Sequence, residues 1–153
     1  MGAVRQLADR YLVELCALDP GLATTLGLPG FEDVLPDVSP GGMTARGDLA
    51  RRTLRELDTL ADEDDADARC RALMIDRLGV SIDQVDAGEH LRYLRIIGSP
   101  VSSTRAIFDQ MPTDTDEDWS HIANRMAALP AAYAGIEEAL AAGLAAGLLA
   151  APR

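Results

Sequence analysis

The sequence has no lysine, few aromatic residues and only two cysteines and two histidines. All 14 basic residues are arginines, against 25 acidic residues, and the net charge is −11. A protein that binds nucleic acid needs a basic patch to neutralise the phosphates. The arginines are instead scattered singly or in short pairs such as Arg51 and Arg52. The charge pattern therefore excludes a nucleic-acid partner.

Long apolar runs are also missing. The longest uncharged apolar stretch, residues 139–152, is rich in Ala and Gly and is shorter than the roughly 20 residues that a membrane-spanning helix needs. Residues 1–9 lack the basic and apolar regions of a signal peptide. Cys16 and Cys70 occupy apolar positions of helical patterns, and we interpret them as reduced, buried thiols. We therefore expect a cytoplasmic protein without a membrane partner.

Helical periodicity, by contrast, runs through most of the chain. Apolar residues recur three and four positions apart, which is the pattern of a helix with one buried face. The stripes are Val4, Leu7, Ala8, Tyr11, Leu15 and Leu18; Leu49, Leu54, Leu57 and Leu60; and Cys70, Met74, Leu78, Ile82 and Val85. No segment alternates with the period of a strand. We predict a single all-α domain over residues 1–153, an irregular bundle of about six to seven helices.

Several helix starts are marked by a capping residue followed by proline. Asp19-Pro20 and Ser39-Pro40 have this form, because Asp and Ser accept free N–H groups and Pro suits the first helical position. After Gly41 and Gly42 the helical spacing resumes at Thr44. Ser102 or Ser103 is predicted to cap a short helix that Pro112 ends. Thr115 and Asp118 are spaced close to a capping box.

Three further helical segments are predicted in the second half. One continues from Ala87 through His90, Leu91 and Leu94 to Ile97, and stops at residues 98–100. The next has Trp119, Ile122, Met126 and Leu129 facing inward. Pro130 is expected to start a separate last helix, with a stripe of Tyr133, Ile136, Leu140 and Leu144.

The acidic segment at residues 114–118 has the alternating oxygen ligands of a calcium-binding EF-hand loop. The position that requires the sharp turn of Gly is Trp119, however, and the position of the bidentate Glu is Arg125. We interpret the segment as a helix N-terminus, where negative charge is favourable. The same interpretation applies to the acidic residues 62–67.

Neither histidine belongs to an HExxH motif or to a pair of ligands at i and i+4. A zinc site would need His90 and His121 to meet a carboxylate such as Glu89. Ser99, between Gly98 and Pro100, is not part of a nucleophile elbow, and neither cysteine is spaced for a Cys–His pair. We expect no catalytic, metal-binding or cofactor-binding residue; a small helical enzyme using Glu89 with His90 is the remaining alternative.

The terminal helix, predicted to start at Pro130, is apolar most of the way round over residues 139–151 and should be covered by the bundle or by a partner. Gly143 and Gly147 would let another helix approach closely. This helix is therefore the candidate surface for a homodimer or for a catalytic C-terminal partner. As a self-association module, the chain would form a dimer that polar substitution of Leu144 and Leu148 dissociates.

Three stretches together resemble the N-terminal portion of a known bacterial family, the domain of unknown function numbered 885. They are Ala8-Asp9-Arg10-Tyr11 through Ala17-Leu18-Asp19-Pro20 to Leu26-Gly27-Leu28-Pro29-Gly30; Ala87-Gly88-Glu89-His90-Leu91 with Gly98-Ser99-Pro100; and Phe108-Asp109-Gln110-Met111-Pro112-Thr113-Asp114-Thr115 with Asp118-Trp119.

Members of this family resemble helical zinc metallopeptidases whose HExxH motif lies in a C-terminal half. The resemblance implies that this chain is a non-catalytic N-terminal helical domain, that it ends before the catalytic half, and that it forms one wall of a substrate cleft. None of the matching segments contains a zinc ligand, so the resemblance implies no site residue here.

Overall fold

The computed structural model describes residues 2–95 and 97–149. These residues form six α-helices and one short 3-10 helix, without a strand, and the predicted all-α class is confirmed. The α-helices are α1 (Ala3–Leu18), α2 (Pro20–Leu26), α3 (Pro40–Leu57), α4 (Asp65–Asp86), α5 (Pro100–Phe108) and α6 (Asp116–Ala145), and the 3-10 helix is Glu89–Leu91.

The main core lies where α1, α3 and α4 pack together. All of its buried side chains except Ala50 come from the predicted stripes of these helices. They are Val4, Leu7, Ala50, Leu57, Met74 and Leu78, with Ala8, Tyr11, Leu54, Leu60, Cys70 and Ile82 packed against them. Because aromatic residues are few, aliphatic side chains fill this core. Helix α2 packs against α1, α6 packs against α3, and the 3-10 helix packs against α3, α4 and α6. Helix α5 packs against α2 and α6.

The predicted caps of α2, α3 and α6 are confirmed. The Asp19 carboxylate accepts a hydrogen bond from Leu22 N at 3.2 Å, and the Ser39 hydroxyl accepts one from Gly42 N at 3.2 Å. Thr115 and Asp118 form a reciprocal capping box. Helix α3 begins at Pro40, as its Ser-Pro signal predicts, and the capped first turn tolerates Gly41 and Gly42.

The cap of α5 differs from the prediction. Ser99, and neither Ser102 nor Ser103, is the N-cap; its hydroxyl accepts a hydrogen bond from Ser102 N at 3.4 Å. Pro100 then occupies the first helical position, which its fixed φ favours. Helix α5 therefore starts with the same Ser-Pro signal as α3.

The helix predicted from Ala87 to Ile97 is wrong. Helix α4 ends at Asp86, and Gly88 adopts a left-handed conformation with φ of 67°. This conformation costs glycine little and stops a right-handed helix. Only the 3-10 helix Glu89–Leu91 follows. Residues 92–95 and 97–99 are not helical, and residue 96 lies outside the described residues.

The predicted break at Pro130 is also wrong, because α6 runs without interruption from Asp116 to Ala145. A proline inside a helix removes one backbone hydrogen bond and costs about 3 kcal/mol. Buried residues on both sides of Pro130, among them Arg125, Ala132 and Ile136, hold the two halves against the rest of the protein. This packing offsets the cost of the proline.

The buried face of α6 also differs from the predicted one. Trp119 and Met126 are each 57% exposed, and Tyr133 and Leu144 are exposed too. The buried residues are Arg125, Ala132, Ile136, Ala139 and Gly143, at spacings of seven, four, three and four. Ile122 and Leu129 are half-buried. Small residues and one arginine fill much of the face that packs against the protein, where large apolar side chains were expected.

The two glycines of the Gly143-to-Gly147 motif have different roles. A Cβ atom at Gly143 would lie 2.0 Å from the carbonyl oxygen of Leu91, so Gly143 allows the 3-10 segment to approach α6 closely. Gly147 is left-handed, and Leu148 N donates to the Gly143 carbonyl at 2.9 Å, which closes the helix. Helix α6 thus ends at Ala145, short of the predicted residue 151; residues 150–153 lie outside the described residues.

Candidate functional site

A cleft of about 1110 Å³ opens between α2, the second half of α4, the 3-10 helix and α5. We call it the α4–α5 cleft. Its polar lining includes Asp83, Gln84, Glu89, His90, Tyr93 and Arg95, and its apolar lining includes Met43, Val80, Val85 and Ile107. A concave, largely apolar space with a few convergent polar groups is the usual form of a small-molecule site.

Glu89 and His90 both line this cleft, but they do not form a pair. The Glu89 carboxylate accepts hydrogen bonds from the Arg92 guanidinium, one from Nε at 3.3 Å and a shorter one from Nη2. These hydrogen bonds lower the pKa of Glu89. Glu89 is therefore held as an ionised partner of Arg92, which makes it a poor general base for His90.

His90 is a polar side chain of the cleft with a buried, unpaired atom. Its Nδ1 is buried and has no hydrogen-bond partner among the described residues. Burial lowers the pKa of His90, because desolvation penalises the imidazolium form. The ring is therefore neutral at pH 7, with one nitrogen carrying a proton and the other a lone pair.

Tyr93 and Arg95 follow on the non-helical segment after the 3-10 helix. The Arg95 guanidinium carbon lies 4.0 Å from the centroid of the Tyr93 ring, within the range of a cation–π contact. Arg95 forms no salt bridge with the described residues, although its positive charge contributes to the lowered pKa of Glu89. Its N–H groups therefore remain available as donors at the cleft. Sequence analysis missed this pair, because the segment was expected to be helical.

At the other end of the cleft, the charged groups are used by the fold. Asp19 caps α2 and lies 3.9 Å from the Arg46 guanidinium. Arg46 also donates to the carbonyl oxygens of Leu18 at 3.1 Å and Asp37 at 2.9 Å. Asp19 and Arg46 therefore tie α2 and the following loop to α3.

His121 is engaged elsewhere, on the first turns of α6. Its Nδ1 lies 2.7 Å from the Asp33 carboxylate, which also accepts from Asn124 at 2.8 Å. The hydrogen bond with Asp33 raises the pKa of His121 and lowers that of Asp33. Within residues 2–95 and 97–149, no three His, Cys, Asp or Glu side chains form a group that could hold a metal ion.

Both acidic segments act as helix N-termini, as interpreted. Thr115 lowers the pKa of Asp118 through the capping hydrogen bonds of α6, and Asp64 caps α4 by accepting from Asp67 N at 2.8 Å. Sequence analysis missed the fully buried Asp67, which accepts from Arg5 Nε at 2.8 Å and from Glu63 N at 3.2 Å. The pairing of Arg5 with Asp67 fastens the start of α1 to α4.

Arg125 is a second buried charge that the sequence did not reveal. Its guanidinium donates to the carbonyl oxygens of Val34 and Phe31, each at 3.0 Å, and to the Thr24 hydroxyl at 2.8 Å. Burial lowers the pKa of Arg125. Arg125 thus joins α6 to α2 and to the loop after it. In the sequence, Arg125 lies seven and eleven residues before Ala132 and Ile136, and this helical spacing could have indicated that it shares their buried face.

The remaining sequence candidates have structural roles. Both cysteines are free; Cys16 is buried, as predicted, whereas Cys70 is only half-buried. Burial raises the pKa of each thiol, so neither is an activated nucleophile. Ser99 is the α5 cap described above. None of these three residues lines the α4–α5 cleft.

A second, apolar depression lies where α5 meets α6. We call it the α5–α6 groove; it measures about 500 Å³ and is lined by Val101, Tyr133, Ile136, Glu137, Leu140, Ala141 and Leu144. Leu144, at its end, is 68% exposed. Leu148, in contrast, packs against Gly88. The exposed apolar surface near the end of α6 therefore centres on Leu144 rather than on Leu148.

Fold and cleft together define a helical domain with a mixed polar and apolar cavity. A family model described as bacterial protein of unknown function (DUF885) matches residues 20–153. The chain belongs to this family. No curated protein matches it. None of the helices in the described part of the chain is long and apolar enough to cross a membrane.

Proposed function

We propose that this chain is a non-catalytic helical domain, the N-terminal part of a larger metallopeptidase-like protein. The observation that carries the proposal is the family match over residues 20–153; the link to metallopeptidases is the resemblance described for the sequence. In this role the chain forms a wall of a substrate cleft and supplies no zinc ligand. We place it in the cytoplasm, in keeping with its two free thiols.

The side chains of the α4–α5 cleft support a binding role rather than a chemical one. Glu89 is neutralised by Arg92, and Asp19 caps α2. A general base needs a free carboxylate or an oriented histidine. Asp83 lines the cleft but forms no hydrogen bond with a described side chain, and His90 has no partner for its buried nitrogen, so no acid–base pair is assembled there. These side chains can recognise a ligand by its shape and polarity.

We propose that the catalytic domain of the larger protein packs on the α5–α6 groove. Its lining is almost entirely apolar, and Tyr133, Val101 and Leu144 remain exposed in it. Apolar surface of this kind is stabilised by burial at about 25 cal/mol per Å². A following domain that packs on α6 would cover the groove.

The test has two parts. The purified chain should contain less than stoichiometric zinc by mass spectrometry and should not hydrolyse peptides. The coding sequence beyond Arg153 should contain an in-frame or adjacent HExxH motif, and co-expression of that part should give a complex that Leu144→Ser weakens. Val13→Ser is the matched control, because Val13 is 60% exposed on α1 and lies outside the groove. Stoichiometric zinc together with chelator-sensitive hydrolysis by the chain alone would overturn the proposal.

Self-association through the same groove is the second candidate function. The exposed Leu144 favours it. It predicts a concentration-dependent dimer in analytical ultracentrifugation that Leu144→Ser dissociates and Val13→Ser does not. A monomer at all concentrations would exclude this alternative.

A further inference from the structure

One side of the α4–α5 cleft presents hydrogen-bond donors that the described residues leave unused. His90, Tyr93 and Arg95 all line the cleft and come from one short segment. The Tyr93 hydroxyl makes no hydrogen bond to a described residue, and the contact of Arg95 with the Tyr93 ring uses none of its N–H groups as donors to oxygen. A ligand that reaches this segment therefore meets unsatisfied donors.

His90 adds one donor, and the ring nitrogen that carries its proton can be inferred. Its Nδ1 is buried without a partner, and a buried N–H without an acceptor is rarer than a buried acceptor without a donor. The proton of the neutral ring is therefore favoured on Nε2. Nε2 makes no hydrogen bond to a described residue, so His90 can donate from Nε2 to a ligand acceptor.

The acidic side chains of the cleft accept no hydrogen bond from His90, Tyr93 or Arg95. Glu89 is held by Arg92, and Asp19 caps α2 near Arg46. Asp83 is the acidic residue of the lining that makes no side-chain interaction with a described residue. One available cation and one neutral donor suit a single negative charge, whereas the surrounding carboxylates oppose a dianion such as phosphate.

The rest of the lining selects the body of the ligand. Val80, Val85, Met43 and Ile107 give the cleft apolar walls, which favour an apolar or aromatic group. We propose that the α4–α5 cleft binds a small monocarboxylate with an apolar body, its carboxylate held by Arg95 and His90. This site requires no catalytic partner, so the proposal does not rest on the function proposed above.

The first experiment compares three probes that share one apolar body. The full chain is titrated with 4-phenylbutyrate, 4-phenylbutanamide and 4-phenylbutylamine by calorimetry and by 15N-resolved NMR. We expect the carboxylate to bind at least tenfold more tightly than the amide, and the amine to bind most weakly. The changes in the backbone N–H chemical shifts that 4-phenylbutyrate causes should centre on residues 81–95 and 103–107. Equal binding of all three probes, tighter binding of the amine, or shifts centred elsewhere would overturn the proposal.

The second experiment removes the charge at one position. Arg95→Gln should weaken 4-phenylbutyrate binding about tenfold to 100-fold, because a hydrogen bond to a charged group is lost. Arg77→Gln removes the same charge from an exposed position on α4 that pairs with Asp76 and does not line the cleft. It should leave binding within about twofold. Equal effects of the two substitutions would mean that overall charge, and not the cleft, controls binding.

Discussion

The buried Arg125 offers the sharpest test of how this fold is held together. We consider Arg125→Met, which keeps much of the aliphatic stem and removes the guanidinium. The substitution leaves the Val34 and Phe31 carbonyls and the Thr24 hydroxyl without the donor that they now contact. We expect a clear loss of stability, because the Val34 carbonyl loses its donor. The Phe31 carbonyl and the Thr24 hydroxyl keep only their contacts with Val34 N at 3.5 Å and with the Pro20 carbonyl at 3.1 Å.

The magnitude follows from two opposing effects. Loss of a hydrogen bond whose buried partner stays unsatisfied costs about 1–3 kcal/mol. Phe31 and Val34 lie in a loop that water can reach once it loosens, so the lower end applies to each. Removal of the buried charge has the opposite effect: it stabilises the folded state, because the cost of desolvating the guanidinium disappears. The balance is a destabilisation of about 2 kcal/mol.

Urea denaturation followed by circular dichroism measures this loss. With a slope of about 2 kcal/mol per M, the midpoint should fall by about 1 M. Arg105→Met is the matched control, because Arg105 is exposed and pairs only with Asp109 at 3.3 Å; it should cost less than about 0.5 kcal/mol. An Arg125→Met stability within about 0.5 kcal/mol of the original would refute the reasoning, since the hydrogen bonds would then do no more than offset the buried charge.

Three further predictions concern other contacts. Gly143→Ala should lower the thermal midpoint by several degrees because its Cβ would meet the Leu91 carbonyl oxygen, whereas Gly79→Ala, with open space around its Cβ, should stabilise α4 by up to about 1 kcal/mol; equal effects would contradict the close packing of the 3-10 segment on α6. Asp67→Ala should cost about 2 kcal/mol in urea, since a buried partner of Arg5 is lost. The His121–Asp33 pair should stabilise the fold above the ordinary Asp pKa of 3.8 and below the ordinary His pKa of 6.5. That increment should fade as pH rises through the raised His121 pKa and as it falls through the lowered Asp33 pKa. His121→Gln should remove the fading at high pH and leave a weaker fading at low pH, because Asn124 still donates to Asp33 at 2.8 Å.

Local signals in the sequence predicted most of the fold. Caps such as Asp19, Ser39 and Thr115 act within one turn of the chain, so the residues that form them are close in the sequence. The stripes of α1, α3 and α4 were equally readable, because the face they bury is the large apolar one. These elements needed no knowledge of their neighbours.

The errors fell where tertiary contacts override local preference. A proline normally ends a helix, but the packing of Ala132 and Ile136 keeps α6 helical across Pro130. Gly88 ends α4 although apolar periodicity continues beyond it. A helix pattern cannot show whether a glycine will adopt positive φ, since either conformation is open to it.

The candidate site depended on tertiary structure to the largest extent. His90 and Glu89 were visible as residues, but only the fold revealed that Arg92 holds the carboxylate and that the imidazole Nδ1 is unpaired. The α4–α5 cleft joins walls from α2, α4 and α5, which are distant in the sequence. By itself the sequence determined the helical class, the caps and the main core, because these follow from local hydrogen bonding and periodic burial. Which charges are buried, and which donors face a cavity, was decided only when distant helices packed together.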